Sequence, residues 1–300
     1  MDKTLENVVE ECLKKWSAGT TPDERLTYFY DNFEMWISQI PPKYHPVVLT
    51  LVRNLEYYSH KTTNRWLDEL HKQLIKQSNI TDDNTIFAFI KSKYGKTNSS
   101  NDYWTEYKLI NGLNKNICIE NLDILEDEDF QCIENIVFID DFSGSGKSFI
   151  DELKKSPERY KGKAVYFIVI NVMYKALEEI SAYAKENNLE IIVLSAVQQG
   201  KAFESSLFED NADAKNMVVE MSESLQIPKN DRLGFKKCQA LVAFYNNTPN
   251  NTLGFIRYDN DEYKSIFPRK DDYVPGWMRM KKERLRRKQT NYNNVKKGVQ

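Results

Sequence analysis

The chain has 300 residues, 41% hydrophobic and 29% charged, with a formal net charge of −2. That balance excludes a disordered or collagenous polymer and leaves room for one α/β domain with an appended helical unit. No run approaches the ~18 apolar residues of a membrane span, and the first residues, Met-Asp-Lys-Thr-Leu-Glu, lack the basic and apolar regions of a signal peptide, so a cytoplasmic location is expected.

Leu5, Val8, Val9, Cys12, Leu13 and Trp16 fall on one helical stripe. Residues 21–24, Thr-Pro-Asp-Glu, read as a capping box with proline at the first helical position. Phe29, Phe33, Trp36, Ile37 and Ile40 continue that second helix until Pro41 and Pro42 stop it. Val48, Leu51, Val52 and Leu55 mark a third helix, and Trp66, Leu67, Leu70 and Leu74 a fourth. Residues 1–80 are therefore expected to be a helical region whose aromatics pack as core.

From residue 85 the pattern changes. Residues 85–90 read as a strand, 91–100 as a Lys/Gly/Ser loop, and 102–113 as a helix. The apolar runs 136–139, 165–172 and 191–197 are rich in β-branched residues, as expected of strands covered on both faces. Helical segments at about 147–156, 175–187 and 211–225 separate or follow them. Strands are also expected at 240–245 and 253–258, flanking a turn-rich stretch at 246–252. This alternation predicts a mostly parallel, Rossmann-like sheet with helices on both faces over residues 81–270, preceded by the helical region.

The chemistry concentrates at 136–148, Ile-Val-Phe-Ile-Asp-Asp-Phe-Ser-Gly-Ser-Gly-Lys-Ser. A buried parallel strand carries Asp140 and Asp141 toward its C-terminal end, where open α/β sheets bind ligands. Backbone N–H groups of the loop after it, Ser143, Gly144, Ser145, Gly146, Lys147 and Ser148, suit an anion. The acids repel that anion but accept hydrogen bonds from sugar hydroxyls. A ribose 5-phosphate fits this division of roles. A P-loop NTPase is the alternative, since Gly-Ser-Gly-Lys-Ser ends like a Walker loop. That motif requires glycine at position 141, which holds aspartate, and the later strands offer no acid for Mg²⁺.

Two acids after an apolar strand, three variable positions, then hydroxyl–Gly–any–hydroxyl resemble the PRPP loop of type I phosphoribosyltransferases. Residues 239–253, Gln-Ala-Leu-Val-Ala-Phe-Tyr-Asn-Asn-Thr-Pro-Asn-Asn-Thr-Leu, followed by Phe-Pro-Arg at 267–269, narrow the resemblance to the PRTase-CE group over about residues 80 to 270. Lys147 departs from the small or apolar residue usual in the loop. The resemblance implies a phosphoribosyltransferase-like fold and a bacterial anti-phage setting, retrons included. It implies that Asp140 and Asp141 hold the ribose 2- and 3-hydroxyls and that residues 143–148 hold the 5-phosphate. By position, Lys91, Lys93, Gly95, Lys96, Ser99 and Ser100 become the pyrophosphate loop, with Lys93 joining the acids in catalysis. Asn250, Asn251 and Thr252 become base or ribose contacts. Mg²⁺ would arrive on the sugar diphosphate. The implied reaction is transfer or hydrolysis at ribose C1, the alternative a nucleotide- or PRPP-sensing or scaffold subunit without turnover.

Cys12, Cys118, Cys132 and Cys238 show no paired spacing and read as reduced thiols; His45, His60 and His71 lack metal-ligand spacing. Residues 271–300 form a separate tail. Its last 22 residues carry nine Lys and Arg against one acid, a local +8, so the other 278 residues sum to −10. The stretch 279–288, which begins at Arg279 and ends at Lys288, is the expected contact for nucleic acid or an acidic protein partner.

Overall fold

Amphipathic helices come first. In the computed structural model, which describes residues 3–17, 23, 25–92 and 98–270, they are α1 (Lys3–Ser17), α2 (Phe29–Ser38) and α3 (His45–Arg53). A short strand, β1 (Glu56–Tyr58), precedes α4 (His60–Gln77), whose start is fixed by the Ser59 hydroxyl accepting the Thr62 N–H. The main sheet then begins with β2 (Thr85–Phe89), α5 (Ser99–Ile110), α6 (Asp127–Cys132) and β3 (Asn135–Ser143). It continues with α7 (Lys147–Leu153), β4 (Ala164–Met173), α8 (Tyr174–Asn187) and β5 (Glu190–Gln199). The chain closes with α9 (Asn211–Ser224), β6 (Val242–Phe244) and α10 (Gly254–Arg257).

The four long strands pair in parallel in the order β2-β3-β4-β5. Alternation along β3 sorts side chains to two cores. Val137 and Ile139 join Leu67, Leu70 and Leu74 of α4 and Tyr103, Trp104 and Tyr107 of α5 on one face. Ile136 and Phe138 join Phe149 and Ile150 of α7 and Ile180 and Tyr183 of α8 on the other. Helices thus cover both faces of a parallel α/β sheet, as the alternation of elements predicts. Central β3 is buried along its whole length, whereas β5 is largely half-exposed despite its continuous apolar run, so the expectation of a strand covered on both faces fails there; β2, at the other edge, is nearly all buried.

A second sheet was not expected. β1 pairs in parallel with β6, Glu56 against Val242 through Tyr58 against Phe244. It is three residues long on each side, too short for a periodic signature. Tyr57 and Ala243 face a third core, in which Val8, Val9, Phe33, Trp36 and Val48 of the first helices pack with Met221, Phe255 and Phe267. The helices before residue 80 therefore share their core with the end of the chain; the Trp36 indole donates to the Tyr263 hydroxyl at 2.7 Å. Residues 254–257 form α10 rather than the expected strand; Gly254 packs so closely on Asp231 that a Cβ would sit 2.7 Å from its carbonyl oxygen.

A buried polar chain joins the sheets. The Asn171 amide on β4 donates to the Tyr58 hydroxyl on β1 at 2.8 Å, and the Gln199 amide on β5 donates to Asn171 Oδ1 at 2.8 Å. Gln199 Oε1 accepts the Leu241 N–H just before β6, at 3.3 Å. Among the described residues no helix is long and apolar enough to cross a membrane. The expected capping box, apart from Asp23, and the whole tail at 271–300 with its expected partner contact lie outside the described residues.

Asn171 is fully buried, so Asn171→Ala strands two polar partners. It is expected to lower unfolding free energy by about 1–3 kcal/mol, read as a fall in urea midpoint at unchanged slope.

Candidate functional site

The strand β3 does not end at Ile139. It runs through both acids to Ser143, with Asp140 opposite Val169 and Phe142 opposite Asn171 of β4. Pairing continues because β4 is equally long, a tertiary fact that the local sequence does not carry. Strict alternation does not hold through the acids: Phe142 lies in the same core as Val137 and Ile139, and Asp140 and Asp141 hydrogen-bond each other. Asp140 lines a cleft of about 380 Å³. Asp141 does not line it; its charge helps to hold the Tyr103 and Tyr245 phenols above their ordinary range, after burial as the first cause.

Both acids are almost fully buried, 8% and 7% exposed. Burial, then the neighbouring Asp141 charge, pushes Asp140 well above the usual carboxylate range. Asp141 is also raised, again by burial, against the opposing pull of Asp140, Ser99 and the Phe142 N–H. The Asp141 N–H donates to Asp140 Oδ1 at 3.0 Å. The pair therefore favours holding a proton between its members, and each carboxyl can donate or accept toward a hydroxyl-bearing ligand.

The loop after β3 packs against a distant segment. A Cβ on Gly144 would lie 2.4 Å from Asn251 Cγ, so only glycine fits there. Gly146 is left-handed (φ 66°) and opens α7. Ser143, Gly144, Ser145, Gly146, Lys147 and Ser148 all line the cleft with Asp140. Among the described residues no side-chain hydrogen bond occupies the hydroxyls of Ser143, Ser145 or Ser148. Lys147 does not reach back over the loop: its Nζ is held by Asp151 one turn on, at 2.8 and 2.9 Å. That geometry is unlike a Walker lysine.

The other expected residues divide. Lys91 lines the cleft, but its Nζ is engaged by Asn121 and by Asp123 at 3.4 Å, while its backbone N–H donates to Glu152 at 3.0 Å. Lys93, Gly95 and Lys96 lie outside the described residues. Ser99 hydrogen-bonds the acid pair. Ser100 is consumed structurally, accepting the Ile90 N–H at 2.9 Å and donating to the Ile139 carbonyl at 2.5 Å. Neither serine caps α5; the Asn98 side chain does, accepting the Asn101 N–H at 3.1 Å.

On the opposite wall, Asn250 and Asn251 line the cleft and Thr252 does not. Thr252 is fully buried, its hydroxyl donating to the Val242 carbonyl at 2.7 Å. The Asn251 amide is committed to Cys238 Sγ at 3.1 Å and the Phe235 carbonyl at 3.4 Å. Cys238 in turn donates to the Gly144 carbonyl at 3.4 Å, so this wall buttresses the loop. Sequence reasoning missed Asn98, Glu152, Lys155, Phe235 and Cys238. Glu152 sits on the helix after the loop, buried and paired to Lys155 at 2.6 Å, so helical position alone pointed to it. Nothing local signalled the other four.

The acids and small residues sit at the C-terminal end of a central parallel strand, the place where open α/β sheets bind ligands. The PRTase-CE family model matches residues 33–269, and the chain belongs to that family. The match reaches further toward the N-terminus than the sequence motifs do, taking in β1 and the helices around it. Among solved structures, the chain is similar to the Helicobacter pylori xanthine-guanine-hypoxanthine phosphoribosyltransferase at 17% identity, over 40% of this chain and 76% of that one, with a TM-score of 0.30. No curated protein matches the chain.

Raised carboxyl groups carry a stability signature. A group whose folded pKa lies above the unfolded value of about 3.9 costs nothing below that value and destabilises as pH rises toward and through the folded one. Asp140→Asn removes this cost. It is expected to stabilise the protein at neutral pH by ~0.5–2 kcal/mol, the gain vanishing below about pH 4, in thermal melts across pH.

Proposed function

We propose that the cleft binds a ribose 5-phosphate compound, PRPP or a nucleotide, and that the protein acts at ribose C1 by transfer or hydrolysis. The observation that carries this reading is one cleft holding both a buried carboxyl, Asp140, and the uncommitted hydroxyls of Ser143, Ser145 and Ser148. The carboxyl suits sugar hydroxyls; the loop, with its backbone N–H groups, suits a terminal phosphate. Asp141, hydrogen-bonded to Asp140, keeps the acid pair proton-sharing. At C1 the developing positive charge would lie beside these buried acids, where a low dielectric strengthens its stabilisation. Mg²⁺ enters as part of a diphosphate substrate, whose leaving-group charge it offsets. Lys93 and Lys96 remain the proposed partners of that diphosphate.

A second reading is favoured by one observation. Lys91, Lys147 and Lys155 line the cleft, yet each is already paired with an acid or amide, so leaving-group stabilisation requires them to exchange partners. A sensing or scaffold role, with binding and no turnover, needs no such exchange. In either case we propose a bacterial anti-phage setting, retrons among them, in which the protein alters or reads a nucleotide pool, with the basic segment 279–288 meeting nucleic acid or an acidic protein.

Incubation with Mg²⁺, PRPP and a nucleotide panel, followed by mass spectrometry, separates these readings. New ribosyl products or pyrophosphate, lost in the Asp140→Asn/Asp141→Asn double variant, are expected of the enzyme. Ligand binding without product supports the sensor; release of ADP from ATP overturns both in favour of an NTPase. Asp141→Asn alone is expected to weaken ribose binding by about 1–3 kcal/mol.

A further inference from the structure

The cleft carries an anion of its own. Glu152, on α7, is 5% exposed and lines the cleft beside the phosphate loop. Its Oε2 accepts two donors at once, the Lys91 N–H at 3.0 Å and the Lys155 ammonium at 2.6 Å. A backbone N–H and a lysine converging on one oxygen are what a bound phosphate oxygen receives. The Lys91 N–H is a fixed donor, because the residue before it is pinned. The Ile90 N–H donates to the Ser100 hydroxyl at 2.9 Å, and the Ile90 carbonyl accepts the Asn98 amide at 2.7 Å. Two groups able to serve a second anion are thus held together, and what holds them is a carboxylate.

The remaining cations are no freer. Lys147 Nζ sits on both Asp151 oxygens at 2.8 and 2.9 Å, and Lys91 Nζ is turned to Asn121 and, at 3.4 Å, to Asp123. The described residues lining the cleft include three lysines, Lys91, Lys147 and Lys155, and three acids, Asp140, Asp151 and Glu152. A polyanion finds no positive surplus among them. One phosphoryl group has the loop of residues 143–148, with its serine hydroxyls, to receive it. A diphosphate in addition would meet Glu152 as a like charge, in a buried setting that strengthens the repulsion.

We infer that Glu152 is a specificity-determining residue: a resident counter-anion that occupies the second anion position and selects a pentose with one phosphoryl group over a sugar diphosphate. This rests on the reading of the acids and loop as a ribose 5-phosphate site. Of the ligands proposed for that site, it favours a sugar or nucleoside monophosphate and disfavours PRPP. Lys155 is the cation that Glu152 withholds.

Isothermal titration of the full chain with ribose 5-phosphate and with PRPP, each with Mg²⁺, tests it. The wild-type chain is expected to bind ribose 5-phosphate at least as tightly as PRPP. Glu152→Gln keeps an oxygen for the Lys91 N–H but gives up the charge. It is expected to raise PRPP affinity about tenfold and to leave ribose 5-phosphate affinity within about twofold. Adding Lys155→Ala is expected to cancel the gain. A merely structural role for Glu152 predicts the reverse, a loss for both ligands. If the wild-type chain binds PRPP about tenfold or more tightly than ribose 5-phosphate, or folded Glu152→Gln shows no gain for PRPP, the inference is overturned and the sugar-phosphate reading stands. Should the variant fail to fold, the wild-type ratio decides alone. If neither ligand binds the wild-type chain or the variant, that reading falls and the role of Glu152 falls with it.

Discussion

Two neighbouring carboxyl groups buried at the end of the innermost strand are the constraint around which the molecule is arranged. Asp140 lines the cleft, and Asp141, hydrogen-bonded to it, lies near enough to Tyr103 and Tyr245 for its charge to act on both phenols. Burial penalises the charge on each acid. The offsetting contacts come from close at hand: the Asp141 N–H on Asp140, the Phe142 N–H on Asp141, and Ser99 at the start of α5 on both. What remains uncompensated is offset by the apolar cores on either side of the sheet. A ligand hydroxyl would supply the hydrogen bonds that the protein withholds.

Much of the main sheet was legible in the sequence because its strands are long and covered. β3 and β4 read as continuous apolar runs, and the helices between strands were expected at about 147–156 and 175–187, close to where they lie. Where the reading failed, the deciding interaction was remote. The pairing of β1 with β6 involves three residues on each side, and residues 254–257 turn into a short helix where Gly254 lies close against Asp231. The half-exposure of β5 depends on which helices cover it, which its own sequence does not carry.

The site was legible on one wall only. Asp140 and the loop from Ser143 to Ser148 form a contiguous signal whose geometry follows from strand, turn and helix. The opposite wall is assembled from residues over a hundred positions away, and its roles depend on who bonds whom. Asn250, Asn251 and Thr252 look alike as a polar run, yet Asn250 is exposed, Asn251 braces Gly144 through Cys238, and Thr252 is sealed in the core. Lys91, expected in a pyrophosphate loop, is instead paired with Asp123 at 3.4 Å, and Lys147 and Lys155 are likewise held by Asp151 and Glu152 at 2.8 and 2.6 Å.

The register of β1 against β6 has a temporal consequence. Glu56 must wait for Val242 before their ladder can close. On the ribosome, strands β2 to β5 can assemble as they emerge, and with them the acids and the serine loop. The wall bearing Phe235 and Asn250 takes shape only after the last third of the chain has been synthesised and returned to the first helices. A nascent chain thus holds half a pocket until residues 235–251 have been made and folded back onto the loop.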